Sequence, residues 1–290
     1  MIATPALIRG KALHLLDFSD QEHPVALQLG GSDPEELADA AVLGQAHGYD
    51  EINLNVGCPS DRVQSGCFGA VLMKDPALVA NALRAMIDKT SVEVTVKCRI
   101  GVDDQEPSHV LPDFLDKVYS AGVRRVAIHA RKAWLQGLSP KQNREVPPLD
   151  YDLVYRMKDQ FPEMHISLNG GVQSLAEAQA HLARGLDGVM IGRAAYQHPF
   201  EVLGQADRLI FDHPADALTP FDVVEKMRPY IAQHLDQGGK LAQVTRHMLG
   251  LFGGYRGARN WRRVLSAEAN KPNAGLDVLD RALFDLEAVA

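Results

Sequence analysis

The sequence predicts an α/β chain: a parallel βα barrel of the TIM (β/α)8 kind, followed by a small C-terminal helical bundle. Three observations carry this. Strand-like apolar stretches begin at Val25, Ile52, Val94, Val126, Ile166 and Val189, with helical patterns between them. That spacing suits crossover helices and a parallel sheet, not hairpins. Polar side chains stand at the C-terminal ends of these stretches, where the strands of a barrel converge. After about Pro214 the strand patterns stop and only helical ones remain. On pattern alone a doubly wound sheet competes. No G-x-G-x-x-G follows a strand, and the many polar strand ends favour the barrel.

The elements follow in order. Residues 1–9 are apolar, and 1–4 read as the stub of a strand before a Gly-Lys loop. The 25–29 strand ends in Gly30-Gly31. Asp33 is the expected N-cap of the next helix, with Pro34 in its first turn and Gly48 as its stop. Residues 51–56 alternate apolar Ile52, Leu54 and Val56 with Asn53 and Asn55, then break at Gly57. Asp75-Pro76 opens another helix, and 92–100 is a strand. Further strands lie near 126–129, 166–168 and 189–191. Helices are expected at 221–235, 243–252, 258–267 and 276–289. This places a catalytic βα region at 1–213 and a helical domain at 214–290.

Bulk properties bound the function. At 290 residues, 46% hydrophobic and 23% charged, the composition is ordinary for a soluble globular protein. No apolar run is long enough to span a bilayer, and no signal peptide opens the chain. Cys58, Cys67 and Cys98 form no C-x-x-C pair, so neither a metal site nor a disulfide framework is expected, and a reducing cytoplasm is the natural setting. A net charge of −7 argues against a nucleic-acid partner unless the basic residues are gathered on one face.

The strand ends hold the chemistry. Gln28 ends one strand; Asn55 and then Cys58 end the next. Lys97 and Arg99 lie two residues apart on one strand and so face the same way, as do His129 and Arg131. Any one of these alone reads as an ordinary structural polar residue; their gathering at strand ends is the signal. Asn169-Gly170-Gly171 and Gly192-Arg193 end the last two strands. Glycines there let backbone N–H groups approach an anion, and Arg193 adds a charged fork, which suits a phosphate.

The run N-V-G-C-P-S at 55–60, followed by Q-S-G-C-F-G-A at 64–70, resembles the flavin-dependent tRNA-dihydrouridine synthases. The later strand ends and the G-A-R-N-W-R-R segment at 257–263 continue the resemblance, which is nearest the bacterial A-type subfamily. It implies a barrel that holds FMN and a helical bundle that grips tRNA. The implied reaction is reduction of uridine to 5,6-dihydrouridine in the tRNA D-loop, at positions 20/20a, with NADPH (or NADH) as reductant. It places Lys97 near the flavin pyrimidine, Gln28 and His129 at flavin edges, and the flavin phosphate at Asn169, Gly170, Gly171, Gly192 and Arg193. It assigns Asn55 and Arg99 to the uracil. Hydride delivered to C6 needs a proton for C5 from the other face. Cys58, a thiol that is mostly protonated at neutral pH, is the expected acid.

In that family a first strand and helix precede the point where this chain starts, so the barrel is expected to lack them, as in a truncated or mis-started gene. A flavin-free remnant that only binds tRNA, or a small-molecule flavin oxidoreductase of the dihydropyrimidine or dihydroorotate type, are the alternatives. RNA contact is expected from two basic stretches, with no stable protein partner implied. One is the loop after the His129 strand, with Lys141 and Arg144. The other is Arg259, Arg262 and Arg263 at helical spacing, near Arg246, His247 and Arg256. Trp261 between them reads as core.

Overall fold

The structure, a computed structural model, describes residues 1–60, 63, 66–214, 218–284 and 286. Its chain order is β1 (Ile2–Ala3), α1 (Thr4–Ile8), β2 (Ala26–Gly30), α2 (Pro34–Ala46), β3 (Glu51–Val56), α3 (Pro76–Lys89), β4 (Glu93–Arg99), α4 (Pro107–Ser120), β5 (Arg125–His129), α5 (Tyr151–Gln160), β6 (His165–Asn169), α6 (Leu175–Ala183) and β7 (Gly188–Met190). Helices α7 (Arg193–Gln197), α8 (Pro199–Leu203), α9 (Ala206–Ile210), α10 (Pro220–Asp236), α11 (Leu241–Thr245), α12 (Ala258–Glu268) and α13 (Leu276–Leu283) complete it. Two compact units result: 1–171 with 181–190, and 172–180 with 191–290.

The first unit holds a seven-stranded sheet in the order β1 to β7, every neighbouring pair parallel. This is the α/β barrel-like fold the sequence predicts. Among the described residues β1 and β7 are not paired. Start signals act as expected. The Asp33 carboxylate accepts from the N–H of Glu35 and of Glu36, both 2.9 Å, and Asp75 accepts from Leu78 at 3.0 Å. Each is followed by a proline at the start of its helix.

Register sorts the strands into two unlike faces, because paired residues of parallel strands point the same way. On one face lie Gln28, Asn53 and Thr95, then Asn55, Lys97, Ala127, Ser167 and Gly188, then Arg99, His129, Asn169 and Met190. On the other lie Leu29, Leu54, Val96, Val126 and Ile166, then Val56, Cys98, Ile128, Leu168 and Val189. This second face is almost wholly buried. Apolar residues of α2, α3 and α4, such as Leu37, Leu83 and Phe114, are buried with it. So hydrophobic burial holds the sheet from outside, while the inner face carries polar groups.

The second unit has its own core, with Phe252 and Trp261 packed edge to face among Val224, Ile231, Leu241 and Leu279. Trp261 is fully buried, as expected, and its indole N–H donates to the Met248 carbonyl at 3.0 Å. One helix is shorter than the sequence suggests. The 243–252 pattern forms α-helix only to Thr245. Beyond it the N–H groups of Met248 and Leu251 bond three residues back, and Gly254 turns the chain at φ 79°. The apolar spacing there serves a string of tight turns. The expected 276–289 helix ends earlier, at Leu283 with Phe284 as its C-cap; positions 285 and 287–290 lie outside the described residues.

Candidate active site

Cys58 sits just past the end of β3, partly exposed. Its position is set by Asn55, whose Oδ1 accepts from the N–H of Gly57 and of Cys58, both at 3.0 Å. An asparagine at a strand end makes this turn because its short side chain reaches its own backbone two and three residues on. The loop then folds back onto the cysteine. The Ala70 N–H donates to the Cys58 carbonyl at 2.9 Å. Gly69 has φ 75°, and a Cβ there would lie 2.6 Å from that carbonyl oxygen. Only glycine meets both demands. The Cys58 Sγ lies 3.5 Å from the Ser60 hydroxyl.

Arg99 locks the same loop from β4. It is only 3% exposed. Its Nε donates to the Gly57 carbonyl at 3.1 Å, and Nη1 donates to the carbonyls of Lys132 (3.0 Å) and Asn143 (2.8 Å). One guanidinium thus ties the Cys58 turn to the 131–147 loop. Burial pulls its pKa down to about 10; the nearby Cys58 opposes this, while Arg144 and Arg131 add to it. It stays charged at neutral pH.

Lys97 is the second cation. Its Nζ donates one of three N–H groups to Asn169 Oδ1 at 2.9 Å, and Asn169 Nδ2 donates to the Met190 carbonyl at 2.8 Å. Burial first, and Arg99 second, lower Lys97 to about 8. His129 is buried beside Gly170. Gly170 has φ 107°, and a Cβ on it would come within 2.8 Å of the His129 Nε2. Tyr151 donates its O–H to the Gly170 carbonyl at 2.8 Å, fixing this turn.

The structure therefore brings Gln28, Asn55, Cys58, Lys97, Arg99, His129, Asn169, Gly170 and Gly171 to one end of one sheet face. Gln28 connects to Asn55, whose Nδ2 donates to its Oε1 at 2.8 Å. Lys141 and Arg144 are exposed on the 131–147 loop. Cys67 is exposed, and Cys98 is fully buried on the apolar face, where burial pushes its thiol up to about 12. Sequence reasoning missed Asn143. It is fully buried, accepts from the Trp134 N–H at 2.7 Å and donates to the Trp134 and Leu138 carbonyls. Its position between Gln142 and Arg144 in a charged segment gave no signal of burial.

In the second unit Gly192 is the N-cap of α7, and Arg193 begins that helix, both exposed. Arg256, Arg259, Arg262 and Arg263 are exposed at the start of and along α12. Arg262 also lines a cleft of about 250 Å³ with Tyr196, His198, Arg246 and His247. His247 is held by the Tyr196 hydroxyl at 2.9 Å and by Arg246 Nε at 3.0 Å. Among the described residues no three His, Cys, Asp or Glu are placed to hold a metal ion, and no helix is long and apolar enough to cross a membrane.

The family model "Dihydrouridine synthase (Dus)" matches residues 1–287. The chain belongs to the dihydrouridine synthase family. It is 55% identical over 283 residues to a tRNA-dihydrouridine(20/20a) synthase of Pasteurella multocida, covering 98% of this chain and 86% of that protein. Proteins of the same name from Salmonella typhimurium and Escherichia coli K12 are 56% identical over 284 residues, again 98% of this chain and 85% and 81% of theirs. Cys58 is partly exposed, and Arg99 bonds the carbonyl of Gly57 next to it.

Proposed function

We propose that this chain reduces uridine to 5,6-dihydrouridine in the tRNA D-loop at positions 20/20a, with bound FMN and NADPH (or NADH) as reductant. The observation that carries the proposal is the Cys58 turn. A partly exposed thiol is fixed by Asn55 and Arg99 beside the Lys97 cation. The donor set fits a flavin. Gln28 keeps one N–H and one lone pair beyond its internal bonds, and Lys97 donates only one N–H to Asn169. Gly170 and Gly171, at φ 107° and 84°, present backbone close to His129 and Tyr151.

In this reading Gln28, Lys97, His129, Asn169, Gly170 and Gly171 would hold the flavin. Bound there, reduced FMN would supply the hydride that uracil C6 needs. Lys97 would supply the positive charge that stabilises the reduced, anionic form of such a group. Asn55 has one N–H left after bonding Gln28, and offers it to a uracil carbonyl. Arg99 would hold the uracil with Asn55, and it fixes the Cys58 turn through the Gly57 carbonyl. Cys58 gives its thiol proton to C5, and solvent returns it. The uridine reaches such a pocket only when turned out of its stack. Lys141 and Arg144 on the 131–147 loop, and Arg259 and Arg262 in the helical region 214–290, meet the phosphates. The basic face of α12 favours tRNA over a free pyrimidine as substrate.

The test is direct. Unmodified tRNA is incubated with the chain, FMN and NADPH, then digested and weighed. A gain of two hydrogens at uridine 20 or 20a supports the proposal, and unchanged tRNA sinks it.

A further inference from the structure

Below the strand ends the inner face carries a continuous line of hydrogen bonds with one direction. The Thr95 hydroxyl donates to the Glu51 carboxylate. Asn53 Nδ2 donates to Thr95 Oγ1 at 2.7 Å, and Gln28 Nε2 donates to Asn53 Oδ1 at 2.8 Å. Asn55 Nδ2 donates to Gln28 Oε1 at 2.8 Å, and Asn55 Oδ1 accepts the Gly57 and Cys58 N–H groups. Asn53 and Thr95 are buried, at 7% and 2% exposure.

An amide side chain can turn end for end, exchanging donor for acceptor. Here neither end of the line permits it. An ionised carboxylate only accepts, so Thr95 must donate to Glu51 and accept from Asn53. Backbone N–H groups only donate, so Asn55 must turn its oxygen to Gly57 and Cys58. The three amides between are then fixed in one sense by both ends at once.

We infer that Glu51, Asn53 and Thr95 are positioning residues for the flavin and uracil site: they set which atoms Gln28 and Asn55 present there. With the line intact, Asn55 presents only an N–H, and Gln28 presents one N–H and one lone pair of fixed order. The consequence for binding rests on the flavin reading of the site; the directed line itself does not.

Thr95→Val keeps the side-chain shape and removes the hydroxyl. Asn53 and Glu51 then each lose a partner, and the carboxylate no longer sets the order. Two measurements on the full chain test this, with Thr95→Ser as the restoring variant. The first is the side-chain amide proton spectrum of protein labelled with 15N-asparagine and 15N-glutamine. In Thr95→Val the signals of Asn53, Gln28 and Asn55 all move, although Thr95 bonds only Asn53 among them; in Thr95→Ser they return. Movement confined to Asn53 overturns the directed line, whether or not flavin binds. The second is FMN affinity by flavin fluorescence. Loss of one ordered hydrogen bond predicts weaker binding by about fivefold in Thr95→Val, with recovery in Thr95→Ser. Equal affinity in all three overturns the coupling to the site. A wild-type chain that binds no FMN overturns both that coupling and the flavin reading, and leaves the line to be decided by the spectrum. Melting temperature in the same three proteins separates this from a purely structural role. A structural role lowers it in Thr95→Val without moving the distant Asn55 signal.

Discussion

The two faces of the same seven strands are opposites. Val56, Cys98, Ile128 and Leu168 stand in one register row on the outer face; Arg99, His129 and Asn169 stand in a row on the inner. The outer row is buried against apolar neighbours and has no polar side chain to satisfy. On the inner face each hydrogen bond constrains the next, from Glu51 through Gln28 to the Cys58 turn. The lesson is that burial on one face frees the other from supplying stability. Inner polar groups cost desolvation, and they are kept at low cost only because each has partners.

Breaking each face therefore has a different signature. Cys58→Ala has the largest expected effect: uridine reduction falls about a thousandfold, the worth of a positioned general acid, while FMN stays bound. Full activity in that variant removes Cys58 from the chemistry. On the outer face Ile128→Ala leaves a cavity and lowers stability by about 3 kcal/mol in denaturant unfolding, with turnover per folded molecule little changed. A loss of turnover instead would show that the faces are not separable.

Lys97 offers a pH test. Its folded pKa of about 8 means that the ammonium is charged below that pH and neutral above it. Affinity for reduced flavin should fall as pH rises through about 8, and in Lys97→Met the fall should vanish from a uniformly weaker baseline. A wild-type profile flat to pH 9 contradicts the role. The smallest effect is expected from Arg259→Ala with Arg262→Ala. These exposed arginines make salt-screened contacts, so tRNA binding weakens a few-fold and its salt dependence flattens by about two phosphate contacts. An unchanged slope assigns them to plain solvated surface.

Much of this was legible in the sequence, for physical reasons. Asp33-Pro34 and Asp75-Pro76 each mark a helix start by a side chain that bonds its own backbone, so no distant contact is needed to read them. The Asn55-to-Cys58 turn is local in the same way. Alternation placed Lys97 and Arg99 on one face. What alternation does not give is the partner. Arg99 is expected at the substrate, and nothing local in the sequence shows that its guanidinium also bonds the carbonyls of Gly57, Lys132 and Asn143, 33 to 44 residues away. Asn143 was invisible for the same reason: its burial comes from the loop it folds. Over 243–252 apolar spacing alone does not separate a helix from tight turns, and the glycines there decide for turns.

The proposed role has the polar end of this sheet pass electrons from a nicotinamide donor through a flavin to tRNA. An absorption spectrum of the purified chain with added FMN tests it in one cuvette. The expected result is a bound-flavin spectrum that NADPH bleaches without air and that unmodified tRNA restores, with tRNA already carrying dihydrouridine leaving it bleached. A protein that takes up no flavin, or a bleached flavin that unmodified tRNA fails to reoxidise, would contradict it.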